Sequence, residues 1–198
     1  MKIIGICCSP RKEKTTYYAL SRSLEAIEKS FPQVDTTLLD LADKRINGCI
    51  ACGACTKQLR CSQEDDFNAL VPILEDHEVG GIIVATPVYL GSMTSLCKAF
   101  MDRCVMFRRN GFLFRNRVGG ALAVGGVRNG GQSATIQGVH AVMLVQDMVI
   151  VGDGRPGSHF GGSVWSGHPG GIEKDEIGLT TAVSLGIRVA ELALQIHR

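Results

Sequence analysis

At 198 residues, 45% of them hydrophobic, the chain is long enough to bury a substantial core without disulfide staples. Its 21 basic and 19 acidic side chains nearly cancel to a formal +2, which excludes a general nucleic-acid binder or a charge-driven membrane binder and confines any asymmetry to local patches. The opening MKIIGICCSP lacks the length and cleavage pattern of a signal peptide, and no run approaches the ~18 apolar residues of a membrane span, so a cytoplasmic protein is expected.

In chain order, the isoleucine-rich run Lys2 to Cys7, closed by Ser9-Pro10, predicts a buried strand, and helical periodicity follows from about Thr15 to Ser30. Val34 to Asp40 alternates as a second strand does. A cysteine-rich stretch intervenes before Phe67 to Leu74, where apolar residues return at helical spacing. Gly81 to Thr86 is a continuous apolar run, as expected of a strand buried on both faces. A helix over Thr94 to Phe107, a strand over Gly120 to Val124, a helix over Ser133 to Val145 and a strand over Met148 to Val151 follow. The final helix, Asp175 to Ile196, carries its apolar stripe on Leu179, Ala182, Val183, Leu185, Val189, Leu192 and Ile196.

Five strands alternating with helices predict a single α/β domain over residues 1–198, a doubly wound five-stranded parallel sheet of flavodoxin-like order with a cysteine-rich loop, residues 47–63, after the second strand. In such sheets ligands sit beyond the carboxyl ends of the strands, so the loops after the first, third and fourth strands matter most.

The first of these, Cys8 to Thr16, offers hydroxyls, basic side chains and free backbone N–H groups at a helix start, which a phosphate monoester needs; an ordinary capped helix uses the same residues. No Walker lysine pattern and no G-x-G-x-x-G is present. The second, Thr86 to Met93, places Tyr89 beside Leu90 and Gly91, suited to a flat ring. The third, Gly125 to Gln132, is glycine-rich and lies at the same sheet edge.

Cys49, Cys52, Cys55 and Cys61 form C-x2-C-x2-C-x5-C. A cubane needs one thiolate per iron, and this spacing lets a turning loop point sulfurs into one volume, which favours a [4Fe-4S] cluster. Structural zinc is the main rival, although its sites more often pair two separated C-x2-C units, and a disulfide ranks below both. Cys7, Cys97 and Cys104 read as core residues, while Cys8 borders the first ligand loop.

The S-P-R segment at Ser9 to Arg11, P-V-Y-L-G-S-M at Pro87 to Met93, G-G-x-R-x-G-G-Q at Gly125 to Gln132 and the closing run from Asp175-Glu176 to Ala190 resemble the FMN-reductase and multimeric-flavodoxin superfamily. Within it, the iron-sulfur flavoproteins carry a compact cysteine motif after the second strand, where Cys49 to Cys61 stands here. The resemblance implies FMN phosphate contacts from Ser9, Arg11, Thr15 and Thr16. It implies ring contacts from Pro87, Val88, Tyr89, Leu90, Gly91 and Ser92, with Gly126 behind. Two departures are Cys8, where glycine is common, and Lys14-Thr15, where Gly-Asn is common.

By the same resemblance the chain is an oxidoreductase that takes electrons from a ferredoxin-like donor through a [4Fe-4S] cluster and FMN to a small-molecule acceptor, dioxygen or hydrogen peroxide. It implies a homodimer or homotetramer in which one subunit's cluster serves its neighbour's FMN. An NAD(P)H-dependent FMN or quinone reductase and a carrier or redox sensor without turnover are the alternatives. The flavin would carry the chemistry, so no side chain is assigned a catalytic role. Two features stay open: the basic, aromatic run Phe107 to Arg117, either a partner-docking surface or a solvated loop, and the glycine-rich stretch Gly152 to Gly171, a lid or subunit contact. His159 and His168, in that stretch, lack metal-ligand spacing with the cysteines.

Overall fold

The computed structural model describes residues 1–197. The parallel sheet is built from β1 (Lys2–Cys7), β2 (Asp35–Asp40), β3 (Val79–Pro87), β4 (Val118–Gly125), β5 (Val149–Val151) and β6 (Gly162–Trp165), ordered β2-β1-β3-β4-β5, with β6 also on β4. Every residue of β3 and β4 is buried, which is why these segments read as unbroken apolar runs. Side chains alternate across β1: Ile4 and Ile6 join the core under α2 (Phe67–Glu75), α3 (Ser95–Arg103), α4 (Val105–Arg109) and α5 (Gln132–Val145). Ile3 and Cys7 join the opposite core, under α1 (Thr15–Ser30) and α6 (Glu176–Ile196).

The fifth sheet position is filled in two pieces. Residues Val149–Val151 pair with 118–120 of β4, and Gly162–Trp165 pair with 122–125, so β6 continues the row that β5 begins. The intervening residues loop out from the sheet edge. Part of the stretch expected to be an irregular connection is therefore strand. The chain re-enters through glycine for a steric reason: a Cβ on Gly161 would lie 2.3 Å from the Ala121 carbonyl oxygen.

Three further features differ from the sequence expectation. The helix expected over 94–107 breaks at Cys104 into α3 and α4. By length and composition α6 is apolar enough to cross a membrane, but its Ala182, Leu185, Val189, Ala190 and Ala193 are buried on the sheet. It crosses α1 closely at Gly186, where a Cβ would meet the Ser23 carbonyl oxygen at 2.4 Å. Finally, three residues of the basic run 107–117 are interior: Phe107, Phe114 and Arg117. Phe107 and Phe114 stack in the core with centroids 4.4 Å apart, Arg115 pairs with Asp147, and Arg108 and Arg109 of α4 are exposed, the first over the Phe112 ring and the second reaching the Cys55 sulfur.

Arg117 has a structural role. It is buried over the Phe114 ring and donates to the carbonyls of Leu74 and Asp76, the orphan acceptors at the end of α2. Burial pulls its pKa down to about 10, against the opposing charge of Asp76. Arg117→Met keeps the apolar stem but removes the donors, and is expected to lower unfolding free energy by about 2 kcal/mol in denaturant titrations; an unchanged midpoint would contradict the capping role.

His140 in α5 is buried, its Nε2 has no partner, and burial lowers its pKa. The folded state then binds its proton less readily than the unfolded chain does. Its contribution is whole above the ordinary histidine range near about 6.5 and is lost as pH falls through it. Stability is expected to decline between neutrality and mild acid, and His140→Leu should flatten that slope in pH-dependent denaturation.

Candidate functional site

The strand ends create the first half of the site. Cys8 N–H continues the β1 ladder to Ala85 O at 2.8 Å, and Ser9 then turns the chain, its buried hydroxyl lying 3.1 Å from both N and O of Arg11. Residues 10–14 are exposed, with Lys12 tied to Asp43 at 2.6 Å. The start of α1 lacks both a side-chain cap from Lys14 and an acidic residue in its first turn. Its free N–H groups and positive dipole end therefore face the loop. Thr16 is buried there with no partner for Oγ1. A cradle of N–H groups beside an orphaned hydroxyl and a basic loop suits a phosphate monoester.

The loop after β3 is a tight hairpin turn. Tyr89 N–H donates to Ser92 O at 2.8 Å and Ser92 N–H to Tyr89 O at 3.1 Å, with φ of 49° at Leu90 and 78° at Gly91. Positive φ at both central positions turns the chain tightly and leaves Leu90 fully exposed and Tyr89 about half so. Pro87 ends β3 in the interior, and Val88 N–H donates to Val124 O at 2.9 Å, locking this loop to the end of β4.

The loop after β4 meets it. A Cβ on Gly131 would lie 3.0 Å from the Gly91 Cα, so the two turns touch. Buried Gln132 braces this loop by donating to Val127 O at 2.7 Å and accepting from Gly130 N–H at 2.8 Å. Gly126 is exposed, and its carbonyl accepts from Trp165 Nε1 at 3.0 Å. Asp175 anchors the whole arrangement. Buried at the start of α6, it accepts from Gly178 N–H at 3.3 Å and Trp165 N–H at 2.6 Å and pairs with Arg128, which lies 5.1 Å over the Trp165 ring.

The cysteine loop forms a second centre. Cys49 and Cys52 are exposed, Cys55 and Cys61 half-buried, and all four line one cavity with Arg103 and Arg109. Positive φ at Ala51 (54°) and Gly53 (77°) turns the chain, and a single 3-10 turn, Ala54–Thr56, carries Cys55. Cys52 Sγ lies 3.1 Å from Ser62 Oγ; that hydrogen bond, then the Ala54 backbone, lowers its pKa. Arg109 donates to Cys55 Sγ at 3.4 Å, Asn110 to Cys55 O at 2.8 Å, and Cys61 N–H to Asn68 Oδ1 at 2.9 Å. The other cysteines are core: burial pushes Cys7 up to about 12 and raises Cys8 and Cys104.

Both ends of the loop are fastened by one ion pair. Arg103, on the last turn of α3, grips Asp65 at 2.8 and 3.0 Å and donates to Asn47 O at 3.0 Å, and both side chains are out of solvent. Asp65 also accepts from Asn47 N–H at 2.9 Å and Phe67 N–H at 3.2 Å, while the guanidinium lies 4.6 Å over the Phe67 ring. Burial opposes the charge on Asp65, but the Arg103 and backbone hydrogen bonds outweigh it and hold the carboxyl below its ordinary value. No spacing signal in the sequence links positions 65 and 103, nor Arg128, Trp165 and Asp175.

Among the described residues no three His, Cys, Asp or Glu side chains converge as a metal site; the four thiols share a cavity rather than a point. The chemistry of its lining still suits an anionic thiolate cluster: four cysteines, two guanidiniums and no carboxylate. Asp65→Ala leaves Arg103 buried without its counter-charge. It should lower unfolding free energy by about 3 kcal/mol, and a loss below 1 kcal/mol in the same titration would exclude the fastening role.

Sheet order, touching loops at one sheet edge and a separate cysteine loop together describe a flavodoxin-type protein. The model of the NADPH-dependent FMN reductase family matches residues 1–161. An iron-sulfur flavoprotein of Methanocaldococcus jannaschii is 41% identical over 198 residues, covering all of both chains, and one of Methanosarcina thermophila is 40% identical over 181 residues, covering 91% of this chain and 89% of that protein. The chain belongs to the NADPH-dependent FMN reductase family and, within it, to the iron-sulfur flavoproteins; it is a flavin-dependent oxidoreductase. Its fold matches a flavodoxin, WrbA-like protein from Agrobacterium tumefaciens at 18% identity and TM-score 0.62 over 98% of each chain. It also matches the Trp repressor binding protein from Bacillus subtilis at 18% identity and TM-score 0.63, over 92% of this chain and 99% of that one.

Proposed function

We propose that residues 1–198 are one flavodoxin-like domain, with its cluster loop at 47–63, that passes electrons from a ferredoxin-like donor through a [4Fe-4S] cluster and FMN to a small acceptor, dioxygen or hydrogen peroxide. The observation that carries this reading is the single cavity lined by Cys49, Cys52, Cys55 and Cys61 beside two guanidiniums. The cluster, when bound, exchanges single electrons with an FMN able to hold two.

The chain's own residues then do the binding. The N–H groups at the start of α1, with Ser9, Arg11, Thr15 and Thr16, hold the phosphate. The turn Pro87, Val88, Tyr89, Leu90, Gly91 and Ser92 lies along the ring, and Gly126 leaves room behind it. Arg108 and Arg109 on α4, beside the cysteine cavity, give an acidic donor protein a cationic landing area. The nine-residue α3 starts beside the ring loop at Thr94 and ends at Arg103, a rise of about 13 Å, so cluster and flavin loops of one subunit stand well apart. That separation, and the exposure of Leu90 and Tyr89, favour a homodimer or homotetramer in which a neighbour's cluster approaches the FMN.

Anaerobically reconstituted protein should contain about four irons and as many acid-labile sulfides per chain. Reduced ferredoxin should reduce its flavin faster than NAD(P)H does. One zinc without sulfide would exclude the cluster, and rapid reduction by NAD(P)H alone would favour the pyridine-nucleotide reductase instead. Cys52→Ala should abolish the cluster and leave FMN bound. Thr16→Val, which replaces an unpartnered hydroxyl with a methyl, should weaken FMN about tenfold in fluorescence titrations without destabilising the apoprotein. Unchanged FMN affinity would remove Thr16 from the phosphate site.

A further inference from the structure

Arg103 is more completely enclosed than any other cation near the cysteine loop: its side chain is 1% exposed. A guanidinium has five N–H donors, and a buried one needs partners for them. Nη1 reaches Asn47 O and Asp65 Oδ2, and Nη2 reaches Asp65 Oδ1. Nε alone is buried without a partner. The same side chain lines the cysteine cavity together with Cys61, whose negative charge as a thiolate would join that of Asp65 in holding the guanidinium protonated. Asp65 already fixes the fork on its other side, so the unpaired N–H cannot rotate away to find another acceptor.

We propose that Arg103 is a positioning residue that sets the reduction potential of the cluster, through its Nε–H to the Cys61 sulfur and its buried positive charge. The proposal rests on the reading of the four cysteines as cluster ligands. An N–H donated to a ligand sulfur and a nearby cation both favour the reduced state, which carries one more negative charge, and thus raise the potential. Arg109 also reaches a ligand sulfur, but it is exposed, so solvent and salt screen its charge. Arg103 therefore has the larger effect, and Asp65 matters for tuning because it holds the fork in place.

The test is an EPR-monitored redox titration of anaerobically reconstituted protein, with iron, sulfide and FMN quantified in each sample. Wild type is compared with Arg103→Lys, with Arg103→Gln/Asp65→Asn, and with Arg109→Gln. The paired variant leaves no unmatched buried charge, so it keeps the fold where a single truncation would not. At full cluster content its midpoint should fall, with the reduced fraction at fixed potential dropping about tenfold, equivalent to 59 mV for a one-electron couple. Arg103→Lys, which keeps the charge but loses the Nε–H, should fall part of the way, and Arg109→Gln should move less than either. Equal midpoints in all four proteins would overturn the tuning role. A cluster lost from both Arg103 variants, with FMN retained, would assign Arg103 to loop closure alone and overturn it as well. Failure of wild type itself to assemble a cluster would instead refute the ligand reading.

Discussion

The constraint on which this structure rests is that its two central strands are buried on both faces. β3 and β4 have no exposed residue and carry one polar side chain, Thr86 near the end of β3, so the polar chemistry moves to the rim where the strands end. Parallel strands all end at the same rim, so the turns after β1, β3 and β4 converge there by topology alone. Backbone contact then completes the arrangement: Gly131 against Gly91, and Val88 onto Val124.

Buried charge is used sparingly and is tied to distant parts of the chain. Arg103 with Asp65 closes the cysteine loop onto α3, Asp175 joins α6, β6 and the loop after β4, and Arg117 ties the end of α2 to the strand that follows α4. Each brings together residues far apart in the chain, so each acts as a clasp between elements the hydrophobic core would otherwise leave free to slide. An enclosed ion pair such as Arg103–Asp65 contributes little net stability but is costly to break on one side, which makes it suited to fixing geometry.

The cysteine loop and the rim loops are physically separate. The first hangs on α3, α4 and Asp65, the second on the strand ends and α6, and α3 is the element that touches both. Thr94 at its start donates to Cys8 O at 2.8 Å, while Arg103 at its end shares a cavity with Cys61.

The amino-acid sequence by itself determined the alternation of strands and helices, the sheet type, the family resemblance and the four-cysteine motif, because apolar periodicity and short ligand spacings are local properties of the chain. It also exposed the three rim loops through their glycine, proline and hydroxyl content. Only the tertiary structure decided that the fifth strand comes in two pieces, that Phe107, Phe114 and Arg117 of the basic run are interior, and that Arg103 shares a cavity with Cys61. Those outcomes depend on pairings between residues distant in the chain, such as Val118 with Val149 or Asp65 with Arg103, and on which side of a helix meets the core. Neither leaves a periodic trace in the chain, since a single buried guanidinium looks in sequence like any surface arginine.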